Sequence, residues 1–402
     1  MNFKSLLIIA LSLIIFIPGI RAQEKEKVDS GYKFTLIKEL PHTSVKDQYR
    51  TSTCWSFAGA SFIESEILRL GKPEVDLSEM FLVNHCYRDK ADRYVRMQGN
   101  TNFGEGGLLH DILYVMKNYG LVPLSEYPGL NYGEKKHTHG EVFGLLKNMV
   151  TSVVQNRGRR ITPVWSVAFQ KTADAYFGDI PETFRYEGKK YTPKSFLSDF
   201  ASGINPDDYV EITSFTHHPF YEKFILEVPD NWLWEKVYNV PLADLQQIID
   251  NSLDKGYTVA WASDTSEKGF STSQKGIAVV PEINMENMSK AEIRKWEKLS
   301  ETDKDKELYK LNKPGKEKVI TQELRQAAFD AQETTDDHAM HIIGLAKDQN
   351  GTQYYKVKNS WGTYNSYDGY FYASVPYVQF KTTAIMVNKN AVPQDIRKKL
   401  GF

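Results

Sequence analysis

Cysteine is nearly absent from this chain, with two in 402 residues. Two thiols allow at most one disulfide, so a small scaffold held by crosslinks is excluded and a hydrophobic core must hold the fold. An excess of one charge is also missing. Fifty Lys+Arg against 51 Asp+Glu leave a formal net charge of −1, with no basic footprint for nucleic acid. No repeat unit is detectable. No Cys, Asp or Glu stands at a metal-ligand spacing from His137 and His139 or from the pair His217-His218, so all four read as surface histidines. No metal or organic cofactor is implied.

Long apolar runs are lacking too, apart from one at the N-terminus. Residues 6–17 are almost wholly apolar, Lys4 precedes them, Pro18-Gly19 breaks them, and Ala22 is a small residue before Gln23. The run is shorter than the ~20 residues of a spanning helix. It reads as a secretory signal peptide over 1–22, the alternative being an uncleaved anchor. The absence of cysteine there argues against a lipid-anchored lipoprotein. The expectation is export to the periplasm or beyond, with no stable membrane insertion after cleavage.

What remains is a globular composition, 41% hydrophobic and 13% aromatic. It is long enough for two ordinary domains or one large domain with insertions. Residues 54–70 carry Phe57, Ala60, Ile63, Ile67 and Leu70 at helical spacing, with N-cap chemistry at 51–53 and a stop at Gly71 and Pro73. Asp76 and Glu79 suggest a capping box for a short helix to 84. Residues 108–119 form a third helix with Gly120 as its cap. The stretch 128–241 is mixed and aromatic-rich. Pro241 opens a helix that Gly256 closes, and "YTVAWASD" alternates as a strand. Residues 285–330 are dense in Lys and Glu and read as a solvated helical excursion. After His338, "HAMHIIGLAKD" and "QYYKVKNSWG" flank Gln349-Asn350-Gly351 as a hairpin, and "VPQDIRKKLGF" ends the chain as a polar, basic tail.

Four residues could carry chemistry. Cys54 opens its helix, where free N–H groups and the helix dipole favour a thiolate and so a lowered thiol pKa. A buried core thiol fits the local sequence equally well. Gln48 precedes the turn that delivers Cys54, and its carboxamide can donate to an oxyanion beside the Cys54 N–H. His338 stands at the mouth of a strand directly after Asp336-Asp337. Asn359, on the next strand, can accept from one ring nitrogen of His338 and leave the other for the thiol. Trp361 can shield that hydrogen bond. Cys86, in "MFLVNHCYR", reads as a small buried hydrophobe.

Gln48, "CWSFA" from Cys54, "HAM" at His338 and "NSWG" at Asn359, in that order, resemble the papain-like cysteine peptidases. The chain keeps Cys-Trp but has Ser52 where the papain signature has glycine. "LSEMFLVNHC" and Gly106-Gly107 extend the likeness. The pair also fits a plain turn, but the resemblance implies that it lines the substrate cleft. The gap from Cys54 to His338 is about twice the roughly 130–150 residues of the ordinary papain group. The added middle segments resemble the bleomycin hydrolase/aminopeptidase C branch.

The resemblance implies an α+β, papain-like fold: a helical half, an antiparallel β-barrel half and a mixed helical insertion. The expected domains are a signal peptide at 1–22 and a peptidase domain at 23–402, with a hook-like insertion near 130–240 and the excursion near 285–330. It implies catalytic roles for Gln48, Cys54, His338 and Asn359, and substrate-binding roles for Gly106, Gly107, Asp337 and Trp361. The substrates are peptides, cut through a thioester, with aminopeptidase activity as the first expectation. An endopeptidase, a dipeptidyl-peptidase, an acyltransferase and a silent peptide-binding homologue are the alternatives. A homo-oligomer, a hexamer, is implied by the family. Members of that branch are mostly cytosolic and lay a C-terminal carboxylate in the cleft. Here an export signal, and a tail with helix formers after Pro393, point to a different arrangement, with Phe402 outside the cleft. With only residues 23–53 between signal and nucleophile, no inhibitory pro-domain is expected.

Overall fold

A computed structural model describes residues 31–156 and 160–402. The expected signal peptide lies outside the described residues, and no described helix is long and apolar enough to cross a membrane.

One half of the molecule is helical and is built around α1 (Cys54–Arg69), in which every residue from Trp55 to Ile67 is buried. A helix buried all round must place its polar residues against partners. On it pack α2 (Glu79–Arg96) and α3 (His110–Asn118), while α4 (Gly140–Val154) and α5 (Val164–Phe177) pack in turn on α2. The second helix differs from expectation. It runs to Arg96, and its cap is Ser78, whose hydroxyl accepts from the Phe81 N–H at 3.0 Å. Glu79 is drawn away from capping by Lys46, 2.9 Å from its carboxylate. Thr53, at the head of α1, makes no side-chain cap, because its hydroxyl bonds Thr51 at 2.6 Å.

The other half is a sheet. Its first strand is β1 (Thr35–Glu39), and a separate hairpin joins β2 (Phe184–Tyr186) to β3 (Lys189–Tyr191). The remaining strands are β4 (Tyr209–Thr213), β5 (Lys223–Ile225), β6 (Lys236–Asn239), β7 (Val259–Ser263), β8 (Phe270–Ser271), β9 (Ile277–Ala278), β10 (His338–Lys347), β11 (Gln353–Lys358), β12 (Tyr370–Ser374) and β13 (Thr382–Asn388). They run in the order β5-β6-β4-β13-β7-β10-β11-β12-β9-β8, with β1 also on β10. All pairs are antiparallel except β4–β6 and β9–β12. The expected closed barrel is not formed among the described residues. The end strands β5 and β8 are only 3 and 2 residues long and do not meet. The β10–β11 turn is wider than an Asn-Gly pair. The Asp348 carboxylate organises it, accepting from Asn350 N at 2.8 Å and Thr352 N at 2.9 Å.

Short α6 (Pro193–Ser195) lies in the mixed stretch, and α7 (Leu242–Asp254) is the helix expected after Pro241, covering one sheet face with Leu245, Ile249 and Leu253. Of the charged excursion, α8 (Lys290–Glu297) and α9 (Glu301–Leu308) have no buried residue. By contrast α10 (Gln322–Asp330) is docked. Its Arg325 is fully buried and donates to the carbonyls of Ser214, Gln379 and Phe380. The chain ends with α11 (Val375–Lys381), β13 and α12 (Gln394–Leu400). Phe402 packs its ring 5.3 Å from Tyr238.

A buried polar network joins the halves. Glu64 of α1 accepts from the Thr43 hydroxyl at 2.5 Å, Leu77 N at 2.8 Å and Lys46 at 3.0 Å. Lys358, at the end of β11, donates to Thr43 and Ser61 at 2.8 Å each, and Ser61 meets His341 of β10 at 2.9 Å. Burial alone would raise the Glu64 carboxyl, but Lys46 and Lys358 hold it below its ordinary value. Burial lowers Lys358 to about 8.

Two histidines read as surface residues are buried. His137 packs near Phe57, and His139 lies against Phe177 with neither ring nitrogen hydrogen-bonded. Aromatic neighbours in the fold bury them, although the local sequence is polar. Burial pushes His137 down to about 4 and His139 to about 3, and Glu105 at 4.0 Å from His139 does not offset this. Below pH 6.5 the unfolded chain takes up these protons first, so stability is lost as pH falls from 6.5 towards 3. His139→Phe should leave stability near neutral pH about unchanged and flatten this acid loss. Urea unfolding at pH 7 and pH 5 checks it.

Candidate active site

The two halves meet at a cleft of about 640 Å³. Cys54 reaches it from the first turn of α1, Gln48 from the segment before that helix, and His338 from the first position of β10. The sequence separates these residues widely, but β10 packs on α1 and brings them together.

His338 is buried and its Nε2 meets Asn359 Oδ1 at 2.8 Å. Asn359 follows β11. Its oxygen also accepts from Ser360 N at 2.8 Å, and its amide donates to Tyr364 at 3.1 Å, which fixes the orientation of the carboxamide. The bond to Asn359 leaves Nδ1 as the other ring position. Trp361 stacks on the imidazole, with centroids 4.7 Å apart and planes at 27°.

Gln48 is held at three points. Its backbone N–H donates to Ser360 O at 2.7 Å, its Oε1 accepts from the Ser360 hydroxyl at 2.6 Å, and its Nε2 donates to Thr51 O at 2.8 Å. One Nε2 hydrogen therefore remains for the cleft. Tyr49, the next residue, has a left-handed backbone at φ +53°, with its N–H on Asp47 Oδ1 at 2.9 Å. This locally strained turn is the kind found where a functional group must be aimed.

The floor is Gly106-Gly107. A Cβ on Gly106 would come within 1.8 Å of Asp230 Oδ2, and one on Gly107 within 2.3 Å of Asp111 Oδ2. A side chain at either position would have to displace these carboxylates, and at 107 would also crowd the Trp55 ring at 3.0 Å. Buried Lys90 donates to the carbonyls of Gly104 and Gly106, and Ser52 N and Trp55 Nε1 donate to Glu105 at 2.8 and 3.1 Å. These bonds tie the nucleophile turn to the floor. Asp337 also lines the cleft, so the structure gathers seven of the eight sequence-predicted site residues along it. Asn359 stands behind His338. Sequence reasoning missed Asp230, from the inserted stretch, Lys90, from under the floor, and the pair Thr265-Ser266, from the loop after β7. Asp336 was visible in "DDHAM" but was not separated from Asp337.

The electrostatics correct one expectation. Burial pushes the Cys54 thiol up to about 12, with Asp336 and Asp230 adding to the rise. The backbone N–H groups of Ala339 and Trp55 oppose this without overcoming it. Burial pushes His338 down to about 4 despite Asn359 and Asp337. Each charge taken alone is disfavoured. A thiolate and an imidazolium formed together by one proton transfer would attract each other, so the two charges are favoured only as a pair.

His217 and His218, left without a carboxylate partner by the sequence, meet Glu227 at 2.9 and 3.0 Å. Their ligand atoms lie within 4.8 Å of one another. They line a different surface from the cleft and take no part in it.

A cysteine nucleophile position at a helix start, an imidazole from a facing strand, an asparagine behind it and a glutamine beside it define a papain-like site. Residues 34–170 match the papain family cysteine protease model, and residues 291–401 match the peptidase C1-like family model. Aminopeptidase G of Lactobacillus delbrueckii subsp. lactis is 23% identical, over 95% of this chain and 89% of its own length. Aminopeptidase E of Lactobacillus helveticus is 23% identical over 95% of this chain and 89% of its own. Aminopeptidase C of Streptococcus thermophilus is 21% identical over 91% and 84%. The crystal structure of PepW from Lactobacillus rhamnosis HN001 superposes with a TM-score of 0.65 at 18% identity, over 91% of this chain and 84% of that one, and shows the same fold. The chain belongs to the papain-like cysteine peptidases, and is a cysteine-type enzyme. Within that class it is of the aminopeptidase C/bleomycin hydrolase type.

Both cysteines are free, and Cys86 is sealed in the helical core. A thiol-reactive epoxide on the folded protein should therefore give one adduct per chain, on Cys54, with Cys86 reacting only in denaturant. Peptide mapping by mass spectrometry reads this directly.

Proposed function

We propose that this chain is an exported aminopeptidase that hydrolyses peptides through a thioester on Cys54. The observation that carries the reading is the convergence of Cys54, Gln48 and His338 on one cleft with His338 Nε2 fixed on Asn359. The names of the curated relatives support the aminopeptidase part. The apolar run at 6–17 supports export. The hexamer rests on the resemblance alone.

In this mechanism the Cys54 proton passes to His338 Nδ1 as the sulfur attacks the peptide carbonyl carbon. The carbonyl oxygen takes the electron pair and sits between the free Gln48 Nε2 hydrogen and the Cys54 backbone N–H. Collapse of the intermediate breaks the C–N bond, and the leaving amine receives the proton from His338. Water, deprotonated by the same imidazole, then attacks the thioester and releases the acid. Gly106-Gly107 offers backbone to the substrate, and Trp361 keeps water from the His338–Asn359 bond.

Cys54→Ala should abolish turnover with the fold intact. His338→Ala should cost more in kcat/KM than Asn359→Ala, because the base acts at both steps and the asparagine only orients it. Gln48→Ala should lower kcat by roughly 10–1000-fold with little change in KM, as for loss of one oxyanion donor. Steady-state kinetics on a free-amine peptide and its N-acetyl form test the whole reading. An aminopeptidase cleaves the first, while equal cleavage of both identifies an endopeptidase.

A further inference from the structure

Three carboxylates share one end of the cleft. Asp230 lies on Gly106, and Asp336 and Asp337 lead into His338. Two of them are held. Asn102 donates to Asp230 at 2.9 Å, and Thr335 donates to Asp337 at 2.7 Å. Asp336 is different. Its Oδ2 is buried without any hydrogen-bond partner, and its Oδ1 has only the Thr383 hydroxyl at 3.5 Å. Buried carboxylate oxygens are normally satisfied; burial, with Asp230, Glu211 and Asp337 nearby, holds the Asp336 carboxyl well above its ordinary value, so it takes either a proton or a donor from outside the chain.

The chain's own cation does not fill this need. Lys90 lies under the floor, with its ammonium on the carbonyls of Gly104 and Gly106. A metal ion fits poorly. Among the described residues, the only three-residue group whose ligand atoms converge within 4.8 Å is His217, His218 and Glu227, so the three aspartates are spread too widely to share one ion. An alkylammonium needs fewer of them, since two carboxylates can take two of its three N–H donors and water the third. Asp336 and Asp230 both act through space on the Cys54 sulfur. An ammonium bonded to them therefore lies close to the carbonyl that the sulfur attacks. Phe402 is packed on Tyr238, and the last turn of the chain contributes no residue to this lining.

We propose that the acidic end of the cleft receives an ammonium group of the peptide substrate, its free α-amino group, with Asp336 as principal acceptor and Asp230 as the second. This rests on the peptidase reading above and assigns the residues that set its preference for a free amine. Binding removes the like-charge repulsion among Asp336, Asp230 and Asp337. The ammonium's single positive charge also offsets part of the negative field of Asp336 and Asp230 that opposes thiolate formation at Cys54.

The test compares wild type, Asp336→Asn and Asp230→Asn on three peptides with one scissile bond. The first has a free α-amine, the second is N-acetylated, and the third is N-acetylated with lysine before the bond. Alkylation of Cys54 by chloroacetamide in each protein reports a folded site independently of turnover. Asp336→Asn should lower the ratio of kcat/KM for free to acetylated peptide by about tenfold or more, the usual effect of losing a charge-assisted hydrogen bond. Asp230→Asn should lower it by less. If only the lysine peptide loses rate, the acidic end is an ammonium site and the side chain is the source. An unchanged ratio in both variants, or an equal fall on all three peptides, overturns the proposal while leaving the peptidase reading intact. If wild type alkylates at Cys54 but cleaves none of the peptides, the peptidase reading fails and the ammonium site falls with it.

Discussion

Glu64 lies about three turns beyond Cys54 on the same helix, wholly enclosed, and takes donors from Thr43, Lys46 and the Leu77 backbone. Through Thr43 and Ser61 it is linked to Lys358 and His341. Each of these residues is a near neighbour of one that lines or backs the cleft. Lys46 leads to Gln48, Lys358 leads directly to Asn359, and His341 shares β10 with His338. Taking such charges out of water is costly, and the cost is recovered only when every partner is in place. Loss of one partner from a network of this kind typically costs about 3–5 kcal/mol. A docking of helix on sheet that was off by one register would strand an ion. The apolar contacts between the halves are non-directional and do not impose this condition by themselves. The network therefore fixes the relative position of the groups around the cleft more sharply than packing does.

The same geometry explains what could be read from the sequence. Cys54, Gln48, His338 and Asn359 sit in short motifs whose neighbours have local jobs. Trp55 binds the floor loop, Ser360 clamps Gln48, and Trp361 covers His338. Local chemistry leaves a local trace. The periods of α1, α3 and α7 were equally plain because each presents an apolar face over several turns. What escaped depends on distant partners. The capping of α2 is decided by Lys46, the burial of His139 by Phe177, and the open sheet by end strands too short to join. β13 enters between β4 and β7, far from both in sequence, and no hairpin signal announces it.

The thiol shows how a correct local argument can lose to a global one. A helix N-terminus does favour an anion, and the Trp55 and Ala339 N–H groups do act in that direction. Burial and two nearby aspartates are stronger. A lone thiolate is disfavoured here, so the reactivity of Cys54 toward any electrophile depends on a proton acceptor beside it. On the proposed reading His338 is that acceptor.

The diglycine floor constrains how this protein can diverge. The carboxylate of Asp230 occupies the space a side chain at position 106 would need, and Asp111 does the same at position 107. A side chain at 106 must displace the Asp230 carboxylate, and one at 107 meets the Trp55 ring as well, at 3.0 Å. Positions 106 and 230, far apart in the chain, are therefore coupled. In descendants of this gene, a residue larger than glycine at 106 would mark a lineage in which Asp230 has moved or been replaced, and with it one wall of the acidic pocket.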